Sequence, residues 1–515
     1  MFVIVWLFLD WKMLHGGKRN SKMWNPKFMV SRSPLVPIWN PFKKKIANQT
    51  NQQINRTIKI EFETHCPMLS IDNIQSGKQR DFYKEPVKIA DVDERREHSF
   101  EECEISCIIY PLERVERLGL VKMDATVLKK TPMAPFNEHV GTDRLPTNPL
   151  GWSTLRSMES PSNYDFIDVS IAKSIFDISM TVNLASDVPV PYFSWVTYDF
   201  MKPPLPFEEK NQQILSTAFI SNCDPQNFRM EAIKKFQNMT PPISVNFGSC
   251  FQNFENKPKT EILQKYKFHF SFENSNDEDY FTEKFFQTLQ EGSIPVVIGP
   301  DNLAQFEPSP GSTLQIKTLA DVQMVADRMR SLAQNKSAYE KMLQWKQQGP
   351  SNQFKALVDL AVVHSTCRLC IHVADRIRAI EASRNQPETC ICHRPQMDIS
   401  IFRFYIRERG RFEFLDAYLT LLDLKHFHES IWEAFDSLFQ GDFRPIWADE
   451  RNEQGRRSPN KERNIPKFEI YHVYKHGKNQ RDALFGGGET NIDSDFKVEQ
   501  LFSNPDCVKL EVIFL

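Results

Sequence analysis

The sequence has few glycines and no glycine-rich phosphate loop. Only 18 of its 515 residues are glycine, and neither a GxGxxG pattern nor a Walker motif occurs. Proteins that bind dinucleotides or hydrolyse ATP usually hold the phosphates on such loops. Both of these function classes are therefore disfavoured.

An excess of one charge and a long apolar run are also missing. The 64 basic and 66 acidic side chains leave a net charge of −2, so no global field favours a nucleic-acid partner.

Residues 1–9 are apolar, but Asp10 and Lys12 follow. A bilayer span needs roughly 20 apolar residues, and a signal peptide needs a basic start. We expect no membrane helix and no signal peptide from this pattern.

Cysteine is present, mostly in close pairs: Cys103 and Cys107, Cys367 and Cys370, Cys390 and Cys392. A CxxC pair is half of many zinc sites, but the second half here has the wrong spacing for a zinc ribbon. Sequons for N-glycosylation begin at Asn48, Asn55, Asn238 and Asn335 and weakly indicate a secretory-pathway protein. Disulfides are the expected state there, although their connectivity stays open.

The stretch from residue 266 to residue 299 predicts a strand, a loop, a helix and a second strand. Apolar and polar residues alternate from Tyr266 to Glu273, which favours a strand with one buried face. Thr282 can cap the helix and Gly292 suits its exit. Residues 293–299 form an apolar run typical of a buried strand.

Polar residues follow the first of these strands and open the helix: Asn274, Tyr280, Glu283 and Lys284. Arg229 lies in the first turn of another predicted helix after a strand. In open α/β sheets, ligands bind at the carboxyl ends of strands. Two cations can hold a diphosphate, and a carboxylate can accept two ribose hydroxyls. These residues favour a nucleotide diphosphate site, although a surface arginine is the simpler interpretation of Arg229 alone.

Two acidic features allow alternative interpretations. Glu159 stands at the end of a predicted strand beside Pro161, where it can face a cleft or simply be a solvated turn residue. Asp277 and Asp279 form an Asp-X-Asp pattern, which is either a divalent-metal ligand pair or a solvated acidic loop.

The string FENSNDEDYFTEKFFQTLQEGSIPVVIG resembles the signature of the α1,3-fucosyltransferases, glycosyltransferase family 10. The strings ASDVPVPYFSW, AFISNCDPQNFR, WKQQGPSNQFKALVDLAVVHSTCRLC and YIRERGRFE resemble the plant branch, which fucosylates the core of N-linked glycans. The strong resemblance covers about residues 148 to 375.

The resemblance implies an α/β, GT-B fold: two Rossmann-like lobes with a cleft between, plus a small C-terminal α+β extension. The implied domains are an N-terminal stem at 1–60, an acceptor-side lobe at 61–205, a GDP-fucose lobe at 206–377 and the extension at 378–515. By the same resemblance, the partners are GDP-fucose and an N-glycan acceptor, and the location is the Golgi membrane.

The match to the family motif implies that five residues of this sequence bind the donor: Arg229, Asn274, Tyr280, Glu283 and Lys284. Its ESP segment places a general base at Glu159. The implied reaction is an inverting transfer of L-fucose to the 3-hydroxyl of the Asn-linked GlcNAc. No metal is strictly required, although Mn²⁺ or Mg²⁺ often stimulates members of the family.

Alternatives remain open at this point. A Lewis-type enzyme would fucosylate outer antennae instead of the core. Residues 107–130 and 241–257 depart from the family pattern, which allows a non-catalytic paralogue that binds GDP or glycan. A metal-dependent GT-A enzyme using Asp277 and Asp279 is a further option.

Overall fold

The computed structural model divides the chain into two compact units. It describes residues 62, 79–118, 122–129, 150–251, 253, 258–383, 390–394, 399–439, 445–447, 468–473, 479–485, 492–503 and 507–514. The unit that we term the central unit comprises Met158–Asp165 and Pro191–Val358. The flanking unit comprises the described residues of Val36–Ser157, with Phe166–Val190 and Asp359–Leu515. The predicted stem at 1–60 lies outside the described residues.

The flanking unit begins with a sheet of largely parallel strands. Its strands are β1 (Val87–Asp91), β2 (His98–Ser99), β3 (Cys107–Pro111), β4 (Ala125–Leu128), β5 (Trp152–Arg156) and β6 (Ile178–Met180). They lie in the order β2-β3-β1-β4-β5-β6, and only the edge strand β2 pairs antiparallel. The helices α1 (Leu112–Leu118) and α2 (Val169–Ile175) connect strands of this sheet. The described residues of this stretch, 107–118 and 122–129, thus contribute ordinary elements of an α/β sheet.

The central unit is built on a fully parallel sheet. Its strands are β7 (Ser216–Phe219), β8 (Ser244–Phe247), β9 (Phe268–Phe272), β10 (Ile294–Ile298) and β11 (Leu314–Gln315). Its helices are α3 (Arg229–Gln237), α4 (Lys259–Leu263), α5 (Glu283–Glu291), α6 (Asp321–Gln334), α7 (Lys336–Met342), α8 (Trp345–Gln348) and α9 (Asn352–Val358). The strand order β11-β10-β9-β7-β8 reverses direction between β7 and β9. That reversal point is where open sheets of this type bind ligands.

The predicted strand–loop–helix–strand unit is confirmed as β9, α5 and β10. Its two strands, β9 and β10, pair in parallel. Thr282 caps α5 through its side chain, and Gly292 ends the helix at φ 67°. The expectation of one solvated face on β9 is wrong. All five of its residues are buried, including His269 at 0% exposure, because the central strands of a parallel sheet are covered on both faces.

The remainder of the flanking unit contains one long helix and a mixed sheet with its own helices. These elements are α10 (Ser365–Ser383), β12 (Ile391–Arg394), β13 (Ile399–Glu408), β14 (Leu415–Leu419), α11 (Leu424–Phe439), β15 (Phe468–Val473), α12 (Gln480–Phe485), α13 (Asp495–Phe502) and β16 (Val508–Phe514). Strands β13 and β16 pair in parallel at the centre. The predicted fold class is confirmed: two Rossmann-like parallel sheets and a C-terminal α+β part.

Disulfides connect the close cysteine pairs to each other. Cys103 bonds Cys367 and Cys107 bonds Cys370, so both bridges fasten α10 to the first sheet of the flanking unit. Cys223 bonds Cys250 in the central unit, Cys390 bonds Cys507, and Cys392 is also disulfide-bonded. Disulfides rather than zinc are therefore confirmed for the described cysteines.

The compact units differ from the predicted domain boundaries. The central unit begins at Pro191 rather than at 206, and it ends at Val358 rather than at 377. Helix α10 belongs to the flanking unit because two disulfides fasten it there. Residues 158–165 follow β5 directly in the chain, yet they belong to the central unit.

Within the described part of the chain, no single helix has the length and apolar character of a membrane span. One pair of helical segments, Asn352–Ala361 and Ser365–Ser383, meets those criteria jointly by length and composition, with a bend of 81° between them.

Gly292 should be costly to replace, because it has both a left-handed backbone and a close neighbour. A Cβ atom at Gly292 would lie 2.4 Å from the Pro204 Cβ, whereas one at Gly311, φ +76°, would meet nothing within 4 Å. We expect Gly311→Ala to lower the free energy of unfolding by about 1 kcal/mol. Gly292→Ala should cost about 1–3 kcal/mol more, because of the overlap. Urea unfolding measures both, and equal costs would contradict the close packing of Gly292 on Pro204.

Candidate functional site

Arg229 joins the two strands that flank the reversal point of the central sheet. It is the first residue of α3, and its guanidinium donates to the Phe272 carbonyl at 3.0 Å and to the Asn222 carbonyl at 2.6 Å. Phe272 ends β9, and Asn222 lies in the segment that follows β7. The arginine therefore holds together the loops that leave the carboxyl ends of these two strands.

Arg229 is only 1% exposed, and burial lowers its pKa. Both terminal nitrogens of its guanidinium are engaged by backbone carbonyls in this arrangement. These contacts are those of a positioning residue. A direct contact from Arg229 to a phosphate stays a prediction.

A buried ion pair opens helix α5. The Lys284 ammonium lies 3.4 Å from the Glu273 carboxylate and donates to the Thr282 hydroxyl at 2.9 Å. Glu273 also accepts from the Thr282 backbone N–H at 2.8 Å, and it is only 1% exposed. One carboxylate thus fixes both the cap of the helix and the cation in its first turn.

The pair is part of a larger group of charges. Burial alone would lower the pKa of Lys284, but Glu273 and Glu283 outweigh burial and hold that pKa above its ordinary value. Burial alone would raise the pKa of Glu283, but Lys284 and Lys259 lower it to about 2. Lys284 is therefore a cation and Glu283 an anion at neutral pH. Their side chains are 20% and 36% exposed, so a ligand can reach both.

Lys259, the first residue of α4, adds a second cation near the start of α5. Its ammonium lies 5.5 Å from the centre of the Phe219 ring. Burial lowers the pKa of Lys259 to about 8, with the charge of Glu283 acting in the opposite direction. Lys259 thus stays largely protonated at neutral pH and complements Lys284.

Asn274 and Tyr280 bound the loop between β9 and α5. The Asn274 carbonyl accepts from the Gln226 N–H at 2.7 Å, which ties this loop to the segment before α3. Tyr280 is 4% exposed, and burial together with nearby carboxylates raises its pKa. Between them, Asp279 has a positive φ of 66°, a conformation that asparagine and aspartate tolerate best. Its carboxylate accepts from the Asn302 amide at 2.9 Å.

Glu159 belongs to the same unit as Lys284 and interacts with it electrostatically. Burial raises the pKa of Glu159, while the charge of Lys284 and a hydrogen bond from Asn163 oppose the shift. The hydroxyl of Tyr192 donates to the Met158 carbonyl at 3.0 Å, next to Glu159 in the chain. A half-buried carboxylate with a raised pKa beside a cation has the properties of a general base or acid.

Asp277 is half-buried, and protein groups donate hydrogen bonds to its carboxylate. It accepts hydrogen bonds from the Ser160 hydroxyl, from the Ser162 backbone N–H at 3.0 Å and from the Ser162 hydroxyl at 2.9 Å. Among the residues described, no group of three or more metal-ligating side chains occurs. The interpretation of 274–280 as a solvated acidic loop is wrong for Asp277 and Asp279, because protein donors engage both carboxylates.

The structure thus brings together Glu159, Arg229, Asn274, Tyr280, Glu283 and Lys284 in one unit. Sequence reasoning missed Glu273, Lys259 and Tyr192 as parts of the site, and it considered Asp277 only as a metal ligand or a solvated acid. Glu273 could have been found, since it directly follows β9. Nothing local in the sequence indicates Lys259 or the bonds of Asp277 to Ser160 and Ser162, because these partners come from distant segments.

Residues 208–385 match the family described as glycosyltransferase family 10 (fucosyltransferase) C-term. The chain is also 37% identical over 445 residues to a putative fucosyltransferase-like protein of Arabidopsis thaliana. That alignment covers 85% of this chain and 78% of the Arabidopsis protein. The chain belongs to glycosyltransferase family 10. The matched region contains every site residue predicted from the sequence except Glu159.

The names of more distant relatives state an enzymatic activity. The 4-galactosyl-N-acetylglucosaminide 3-alpha-L-fucosyltransferase 9 of Mus musculus and that of Homo sapiens are each 27% identical over 231 residues. These alignments cover 44% of the family 10 chain and 58% of each relative. A crystal structure of an alpha1,3-fucosyltransferase with GDP-fucose has 16% identity and a TM-score of 0.29, covering 53% of this chain and 84% of that one.

Replacing Glu273 should destabilise this family 10 protein more than replacing an exposed glutamate. Glu273→Gln preserves the shape of the side chain but removes the charge that balances Lys284. We expect a loss of about 1–3 kcal/mol in the free energy of unfolding. The matched control is Glu340→Gln on α7, where the side chain is 53% exposed and the cost should stay within about 0.5 kcal/mol. If urea unfolding gave the same small cost for both variants, the buried pair would not stabilise the start of α5.

Proposed function

We propose that this protein is an inverting fucosyltransferase that uses GDP-fucose. The observation that carries the proposal is that the turn after Glu159 bonds Asp277, which lies in the loop from β9, at the reversal point of the sheet, to the helix that contains Lys284. A carboxylate suited to take a proton thus stands beside a cation suited to hold a diphosphate. Family membership supplies the sugar and the nucleotide.

The donor diphosphate binds at the start of α5 in this proposal. The N-terminus of a helix attracts anions through its dipole. Lys284 and Lys259 add two positive charges there, and the pKa of Lys284 is held above its ordinary value. Glu283, ionised and 36% exposed, is placed to accept hydrogen bonds from the ribose hydroxyls. Such preorganised cations stabilise the charge that grows on a departing diphosphate.

The chemical step is a single displacement. The Glu159 carboxylate takes the proton of the acceptor hydroxyl while that oxygen forms a bond to the anomeric carbon of fucose. The bond from this carbon to the diphosphate oxygen breaks, and GDP leaves with the electron pair. Attack from the face opposite the leaving group inverts the configuration. Cations hold the leaving group, so we propose that no metal is strictly required and expect transfer to persist in EDTA.

The acceptor is the 3-hydroxyl of the Asn-linked GlcNAc in this proposal. The resemblance of several sequence segments to the plant branch supports the core of the N-glycan. The names of the mammalian relatives at 27% identity support the Lewis-type alternative, in which galactosyl-GlcNAc antennae are fucosylated. A location in the Golgi membrane follows from the same resemblance and is proposed with it.

The deciding experiment supplies GDP-fucose with two acceptors and follows products by mass spectrometry. One acceptor is an N-glycan peptide with terminal GlcNAc residues, and the other carries galactosyl-GlcNAc antennae. Fucose on the Asn-linked GlcNAc of the first supports the proposal, and fucose on the antennae of the second supports the Lewis-type function. GDP binding without transfer to either acceptor would indicate a non-catalytic paralogue.

Glu159→Gln should abolish transfer without abolishing donor binding. Loss of a general base typically lowers kcat about 10² to 10⁴-fold, whereas the affinity for GDP should change less than about twofold. Because the base acts only when deprotonated, kcat/KM of the wild type should fall as the pH drops through the Glu159 pKa. Burial raises that pKa above the ordinary value of 4.5, so the acidic limb should have its midpoint above pH 4.5.

Glu261→Gln on α4 is the matched control, because it removes an exposed glutamate of the same unit. It should leave kcat and the acidic limb unchanged. A Glu159→Gln variant with near wild-type kcat would refute the assignment of the base.

Lys284→Gln should weaken GDP binding, because it removes the cation at the start of α5. Removing one charge-assisted contact of about 1.5–3 kcal/mol corresponds to a rise in Kd of about 10-fold or more. Calorimetry measures the change, with Lys234→Gln on the exposed face of α3 as the control. The substitution should weaken the binding of GMP less than that of GDP, because GMP lacks the second phosphate. An unchanged Kd for GDP would remove Lys284 from the donor site.

A further inference from the structure

We propose that Asp277 is a positioning residue that fixes the Glu159 segment to the unit that holds Lys284. The inference rests on the proposed function and deepens it, since it explains how the base is held beside the donor site. Asp277 itself contacts neither donor nor acceptor in this proposal. It acts through Ser160 and Ser162.

The contacts converge on the turn that follows Glu159. Asp277 accepts from the Ser160 hydroxyl, from the Ser162 backbone N–H and from the Ser162 hydroxyl. The Ser160 hydroxyl in turn accepts from the Ser275 hydroxyl at 2.7 Å. Ser160 and Ser275 are both 0% exposed, so this part of the network is shielded from water.

The turn has internal support as well. The Asn163 N–H donates to the Ser160 carbonyl and the Tyr164 N–H to the Pro161 carbonyl, each at 3.0 Å. The tight turn alone fixes the local backbone of residues 160–164. It does not fix where that turn lies, and the bonds to Asp277 and Ser275 do so.

A second attachment lies on the other side of Glu159. The Tyr192 hydroxyl donates to the Met158 carbonyl at 3.0 Å, and the Tyr192 ring meets the Tyr280 ring edge-on at 6.4 Å. Glu159 is therefore held between two attachments, at Met158 and at Ser160. Both lead to residues of the central unit, which explains why residues 158–165 belong to that unit although β5 belongs to the other.

A carboxylate is the side chain that this arrangement needs at position 277. The two carboxylate oxygens satisfy three donors from Ser160 and Ser162. An amide would keep one acceptor oxygen, would have to donate to the Ser162 hydroxyl instead of accepting from it, and would lose the negative charge that strengthens these bonds. The loop that contains Asp277 runs from Asn274 to the start of α5. Only six residues separate Asp277 from Lys284, so Asp277 connects the segment of the proposed base to the helix that contains the cation.

The test compares Asp277→Asn with wild type in two independent measurements on the full chain. Because a misplacement of about 1 Å can cost about 10²-fold in rate, we expect kcat to fall about 10 to 100-fold. The KM for GDP-fucose and the Kd for GDP should change less than about twofold, since the cations are untouched. Hydrogen–deuterium exchange should accelerate in the peptide covering 157–165 and stay unchanged in α5.

Two further variants control the comparison. Asp327→Asn on α6 removes an aspartate that also accepts side-chain hydrogen bonds, from Gln323 and Arg330, but on an exposed face. It should alter neither measurement. Ser162→Ala removes a single bond to Asp277 and should give a smaller loss of kcat than Asp277→Asn.

Unchanged exchange in 157–165 would overturn the proposal, and so would faster exchange with normal kcat. Parallel losses in kcat, KM and exchange protection of α5 would also overturn it, because they would show general destabilisation. If wild type lacked fucosyl transfer altogether, the proposed function would fall and the positioning role with it. The exchange measurement would then still report whether Asp277 holds the segment.

Discussion

The buried contact between Glu273 and Lys284 is the interaction on which the rest of the site depends. Glu273 follows β9 directly and is 1% exposed, and it bonds the N–H and hydroxyl of Thr282 as well as the Lys284 ammonium. A buried carboxylate is costly unless such partners surround it. Meeting that requirement fixes the start of α5 and its cation in one place. The strand end and the helix start therefore form the proposed diphosphate site without a glycine-rich loop.

The topology of the parallel sheet determines which groups lie near the proposed diphosphate site. Because the strand order reverses between β7 and β9, the loops after these strands diverge and leave room at the carboxyl edge. Arg229 stabilises that edge by bonding the carbonyls of Asn222 and Phe272. Glu159 reaches the same unit from another segment and is held beside Lys284. The proposed base, a cation and a helix terminus then belong to one unit, as the proposed displacement requires.

Local patterns in the sequence predicted much of the fold. The sequence predicted the Thr282 cap, the end of α5 at Gly292 and the apolar strand β10, because each of these features depends on residues that are close in sequence. The burial of Lys267, just before β9, and of His269 on β9 was not predicted, since it depends on layers contributed by distant helices. The same reason hid the pairing of Cys103 with Cys367 and the attachment of Ser160 to Asp277. Residue types indicated the candidate site, but long-range contacts decided that Arg229 is buried and that Asp277 binds protein donors.

A crystal structure with GDP-fucose, or with GDP and fucose where the donor turns over, tests the central claim most directly. The account predicts that the diphosphate lies near the start of α5, within hydrogen-bond distance of the Lys284 ammonium. It also predicts that Glu159 faces the anomeric carbon on the side opposite the leaving diphosphate. A nucleotide bound elsewhere, or with Glu159 turned away from the sugar, would contradict the account.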